Sequence, residues 1–195
     1  MKSIIKWFAL IGAALTLSGC GINNIPSYDE AVNATWAQVE NQYKRRADLI
    51  PNLVETVKGY AAHEKDVLTQ VIEARAKATQ TTLPKDVLSN PEAFKQFEAS
   101  QSQLSSALAR LMVVVEKYPE LKADKNFQQL QAQLEGTENR IAVARRDYIQ
   151  AVQKYNTELR TFPGRLWAMT LYRNMKPRET FSAPEGAKEA PTVKF

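Results

Sequence analysis

The chain has 195 residues, 44% of them hydrophobic and 24% charged, which suits one domain with its own core and excludes both a wholly disordered chain and a multi-span membrane protein. Its formal charge of +5 includes Lys2 and Lys6 of the amino-terminal segment. The dense basic runs, Lys44-Arg45-Arg46 and Arg145-Arg146, are each followed shortly by an aspartate, so they read as solvated helix faces and not as a nucleic-acid footprint.

Seven glycines in all favour helices over a turn-rich β fold. Residues 1–19 have the order of a secretory signal peptide: two lysines, an apolar run from Trp7 to Leu17, then small residues. That run is well short of the roughly 20 residues needed to cross a hydrocarbon core; an uncleaved anchor over residues 4–19 is the alternative. The chain's one cysteine, Cys20, follows Leu17-Ser18-Gly19. This resembles the bacterial lipobox, in which the thiol receives a diacylglyceryl group, the Gly19–Cys20 bond is cut and the new amino terminus is acylated. Several acyl chains, at about 0.8 kcal/mol per buried methylene, hold a domain stably at a membrane surface without spanning it. The next residue is Gly21 and not Asp, which by the sorting rule of double-membrane bacteria directs the product to the outer membrane, facing the periplasm. Residues 20–27 form the lipidated cysteine and a short tether.

A helical domain is expected over residues 28–174. Ser27-Tyr28-Asp29-Glu30 has capping-box spacing and opens the first helix. From Trp36 through Val39, Tyr43, Arg46, Ile50, Leu53, Val57, Tyr60, Glu64, Val67 and Val71 to Ala74, seam positions recur at intervals of three and four, the signature of long packed helices. Pro51 interrupts this stretch and predicts a kink or a full break there. Residues 79–89 read as a loop, and Asn90-Pro91-Glu92 opens a second helix that Pro119 stops. A third starts near Asp124 and is closed by Phe162-Pro163-Gly164. The apolar stretch 166–173 is a short terminal helix that packs on the bundle end or touches a membrane. Residues 175–195, with Pro184, Gly186 and Pro191 near the end, are expected to be a disordered tail. The fold class is therefore all-α: a long antiparallel bundle of three helices, or a four-helix body if the first helix divides at Pro51.

The block Lys44-Arg45-Arg46-Ala47-Asp48-Leu49-Ile50-Pro51-Asn52-Leu53-Val54, the following Val57-Lys58-Gly59-Tyr60, and Leu134-Glu135-Gly136-Thr137-Glu138-Asn139-Arg140-Ile141 resemble the LemA family from about Tyr28 to Gly164. The resemblance implies a bacterial envelope protein with an amino-terminal membrane anchor and a helical body, and it carries no established enzymatic activity. Many members look as though they keep an uncleaved transmembrane helix; the lipobox is a departure from that pattern.

No catalytic residue and no metal site is expected. The sole histidine, His63, stands with Glu64 and Lys65 on a helix, and one histidine with no free cysteine cannot supply the common zinc sets. Gly59, Gly136 and Gly164 are isolated, so no phosphate loop is formed. No cofactor is expected beyond the covalent lipid, and no small-molecule substrate is identified.

The informative residues are polar ones on apolar seams: Arg46, Glu64, Gln101 and Thr137. A buried charge needs a partner. Two readings follow: an inter-helix network fixing register, drawn from Arg45, Arg46, Glu64, Glu116 and Glu138, or a polar ligand pocket in the bundle. An enzyme of another kind would need a carboxylate cluster such as Glu116 with Glu138. The sequence thus points to a lipid-anchored scaffold that binds other envelope proteins or its own copies, with a ligand-sensing or transport-accessory module as the alternative.

Overall fold

A computed structural model describes residues 21–80, 84 and 86–182. The expected signal sequence, Cys20 and residues 183–195 lie outside the described residues. The fold is all-α: α1 (Asn24–Tyr60), α2 (Lys65–Gln80), a 3-10 turn (Val87–Ser89), α3 (Pro91–Val115), α4 (Pro119–Ala123), α5 (Lys125–Arg160) and α6 (Gly164–Thr170). No helix among the described residues is long and apolar enough to cross a membrane.

The first helix differs from expectation at both ends, and the full break at Pro51 does not occur. It begins at Asn24, so Ser27 is not its cap; the Ser27 N–H donates to the Asn23 carbonyl at 3.1 Å. Pro26 sits in the first turn, where a missing N–H costs nothing. The helix runs without interruption through Pro51. A proline here leaves the carbonyl four residues earlier, Ala47, without its helical donor. The Nε of Arg75 on α2 donates to that carbonyl at 2.8 Å, so the neighbouring helix supplies the missing hydrogen bond. The division into four helices comes instead at residues 61–64, where Glu64 N–H bonds the Ala61 carbonyl and α2 starts at Lys65. His63 lies in this connection, exposed, and not on a helix.

The other caps follow the sequence. The Asn90 Oδ1 accepts from Ala93 N–H at 3.2 Å, with Pro91 opening α3. Asp124 Oδ1 accepts from Phe127 N–H at 2.8 Å at the start of α5. Pro119 does not end α3 directly; that helix stops at Val115 and Pro119 opens α4.

The chain divides into two compact units, Met1–Tyr43 with Arg140–Arg178, and Lys44–Asn139 with Glu179–Phe195. In the first, the seam Ile25, Val32, Trp36, Val39 and Tyr43 of α1 is buried with Ile141, Ala144, Tyr148, Val152 and Tyr155 of α5. Trp36 meets Tyr148 with ring centroids 5.3 Å apart. Asn24 pairs with Glu158 and Gln42 with Arg140, so the two helices run antiparallel. Two helices bury only one stripe each, and the segment after α6 closes over them. Residues 175–178, expected in a disordered tail, are held by side-chain bonds: Arg178 Nη2 meets Asp29 Oδ1 at 2.7 Å, the Arg178 N–H and carbonyl pair with the Asn156 amide, and the Tyr155 hydroxyl donates to the Lys176 carbonyl.

The second unit packs the latter part of α1, then α2, α3, α4 and the start of α5 around Ile50, Leu53, Val57, Leu68, Val71, Leu104, Leu108, Leu111, Leu121 and Phe127. Phe181 is also buried here, 5.1 Å from the Phe94 ring. Gln101 on α3 reaches the Ala78 carbonyl and Arg110 reaches Gln70 on α2, an antiparallel register.

Candidate functional site

Arg46 is 1% exposed, and a helical seam repeating every three to four residues places it inward among Tyr43, Ile50 and Leu53. An arginine cannot be discharged by burial, so its fork must be answered by acceptors. The answer comes from α3 and α5. Nη1 donates to Ser105 Oγ at 2.9 Å and to Glu138 Oε1 at 3.0 Å. Nη2 donates to the Gln101 side-chain oxygen at 2.7 Å and to the Gln101 carbonyl at 3.3 Å. Gln101 in turn donates through Nε2 to the Ala78 carbonyl of α2 at 3.3 Å. One guanidinium thus ties α1 to α3 and α5, and Gln101 extends the tie to α2.

Of the charged residues singled out from sequence, the structure brings Arg46 and Glu138 together and separates the rest. Arg45 is exposed. Glu64 accepts from the Tyr118 hydroxyl at 3.3 Å, and burial together with that carboxylate pushes the Tyr118 phenol up from its ordinary value. Glu116 pairs with Lys122 at 2.7 Å at the surface. Glu116 and Glu138 therefore have cations of their own and form no carboxylate pair. Thr137, wholly buried, returns its hydroxyl to the Gln133 carbonyl of its own helix at 2.7 Å, a local bond that needs no partner helix. Ser105 could not be foreseen as an acceptor, because a serine on a helix face carries no sequence signal of its own.

Glu138 is the outer member of the centre, 42% exposed on its side chain. It also lines an open groove of about 530 Å³ with Met112, Leu134, Gln131, Glu135 and Asn139. The groove is apolar at Met112 and Leu134 and carries carboxylates at its edge. Among the described residues no group of three or more metal-ligating side chains assembles.

These features define an all-helical protein whose fully buried charge joins helices. The chain belongs to the LemA family, whose model matches residues 35–195. It is similar to magnetosome protein MamQ 2 of Paramagnetospirillum magneticum, 26% identical over 157 residues that cover 72% of this chain and 58% of the relative. It is also similar to Protein LemA of Metamycoplasma hominis, 25% identical over 134 residues covering 69% and 57%. Magnetosome protein MamQ of Magnetospirillum gryphiswaldense is 24% identical over 161 residues, covering 74% and 59%. The match thus spans under three fifths of the length of each of these relatives.

Proposed function

We propose that this protein is a lipid-anchored, non-enzymatic helical module that binds other envelope proteins or further copies of itself. Covalent lipid on Cys20 holds it at a bacterial envelope membrane, the outer membrane facing the periplasm in a cell with two. The observation that carries the reading is the Arg46 centre: the one fully buried charged side chain among the described residues is answered by residues of α3 and α5. Interior polarity committed to register leaves the outer helix faces, where Ile72 and Val113 are exposed, as the surfaces available for partners.

A second reading rests on one specific observation, that Glu138 both pairs with Arg46 and lines the groove beside Met112 and Leu134. A ligand-sensing module would use that groove.

Replacing Arg46 by Met separates the two. For the register role, Arg46→Met leaves the buried Gln101 side chain and carbonyl without their donor and lowers stability or changes assembly, and Glu138→Ala strands the guanidinium and costs about 1–3 kcal/mol, below the range for a fully buried partner because Glu138 is half in water. For the pocket role, Arg46→Met keeps the fold and abolishes a ligand-induced rise in Tm. Affinity recovery of the lipidated protein from membranes, with Cys20→Ser as control, tests the module itself. Crosslinking in intact cells that returns only monomer refutes it.

A further inference from the structure

The first unit has one end at which Gly21, the first described residue, and exposed apolar residues meet. Gly21, with φ of +89°, lies against the α5–α6 elbow: a side chain there would stand 3.6 Å from Pro163 Cγ and 3.7 Å from Glu158 Oε1. Asn24 Nδ2 donates to Glu158 Oε1 at 3.1 Å and secures this start of α1 to the end of α5. Cys20 is the preceding residue in the sequence.

Beside that elbow, Phe162 is 85% exposed, Met169 62% and Leu171 60%, with Leu166 also in solvent. Leu166 and Met169 stand three apart and share a face of α6, with Phe162 at the elbow just before that helix and Leu171 just after it. Large apolar side chains grouped in this way mark an interaction surface. Glu158 stands at the elbow, bonded to Asn24, but the segment that follows it carries charge of one sign. Residues 160–178 contain Arg160, Arg165, Arg173, Lys176 and Arg178 and no acid. Arg178 is taken up by Asp29, while Arg160, Arg165, Arg173 and Lys176 are exposed. Arg173 Nε donates to the Met169 carbonyl at 2.8 Å, which sets this cation beside the apolar residues.

We infer that this end of the unit lies in the headgroup layer of an anionic phospholipid membrane, with Phe162, Leu166, Met169 and Leu171 at the acyl boundary and the four exposed cations facing phosphates. A soluble protein partner would be a competing occupant, but the place of Gly21, next in sequence to the proposed lipidation site, selects the bilayer. Basic residues near anionic lipid and apolar side chains at its boundary act together in interfacial binding. The orientation rests on the anchor reading given above; the surface itself is tested separately.

The test places a photoreactive benzoylphenylalanine at position 162, 166 or 142 of the full-length protein in native membranes. Ala142 is exposed on α5, roughly 27 Å along the helix from Arg160. The expected result is phospholipid adducts, identified by mass, from positions 162 and 166 at least tenfold above position 142. Combining Arg165→Glu with Arg173→Glu should lower the adduct yield at 162 by about fivefold or more, the effect of even one cation near an anionic surface. Adducts to protein alone at 162, or equal lipid adducts at 162 and 142, overturn the proposal. The mass of the same purified protein reports lipid on Cys20 or an intact leader. An intact leader removes the anchor reading, and the ratio of adducts at 162 and 142 still decides the surface.

Discussion

The continuity of α1 through Pro51 has a cause that can be removed one atom at a time. Arg75→Met keeps the apolar stem and deletes the donor to the Ala47 carbonyl, which belongs to a residue only 4% exposed. A hydrogen bond from a charged group contributes about 1.5–3 kcal/mol, and a carbonyl left buried without a donor costs a similar amount. Arg75 is half-buried, so the lower part of that range applies, and Arg75→Met should destabilise by about 1.5 kcal/mol. Pro51→Ala returns the helical N–H to the same carbonyl, whose second lone pair can take it. In that background Arg75→Met should cost under about 0.5 kcal/mol, a coupling of about 1 kcal/mol. Urea unfolding of the mature protein in mild detergent, followed by helical circular dichroism, reads both arms of the cycle. If Arg75→Met costs the same with proline at position 51 as it does in the Pro51→Ala chain, the compensation does not exist.

Two further outcomes follow from the first unit. A methyl group at Gly164 would overlap the Glu158 carbonyl oxygen, and because that atom is backbone it cannot swing aside; Gly164→Ala should cost about 1–3 kcal/mol, seen as a lower Tm, whereas an unchanged Tm would mean that α6 does not pack at this elbow. Burial first, and Asp29 second, push the Tyr155 phenol up to about 12 against Arg178, which lowers it. Since the folded value lies above the unfolded one, the stabilisation is complete below about pH 10 and is lost as pH rises towards 12. Ultraviolet titration should show one tyrosine ionising last and unfolding beginning in that window, and a Tyr155→Phe chain should lose this part of the pH dependence.

The exposed connection at His63 and the centre at Arg46 illustrate how differently local and distant information reach a reader of the chain. Caps are local: Asn90 and Asp124 each bond an amide three residues on, so their positions follow from a few adjacent letters. The inward place of Arg46 is equally legible, because a seam that repeats every three to four residues admits one register. Its partners are not, since Ser105 and Glu138 stand 59 and 92 residues away and several acidic side chains were equally plausible on paper. Arg45 beside it, one residue around the helix, turns to solvent for the same geometric reason that Arg46 turns in.

Periodicity and punctuation by themselves determined that this is a chain of long amphipathic helices with a cap at Asn90 and a helix start near Asp124, because those properties are fixed by residues within one or two turns. Only the tertiary structure decided where the first helix divides, that Arg75 completes the backbone at Pro51, that Glu138 rather than Glu116 answers Arg46, and that residues 175–178 close the first unit. Each of the last three is a bond between residues far apart in sequence, and the free energy of such a bond exists only once packing has brought its two ends within about 3 Å of one another.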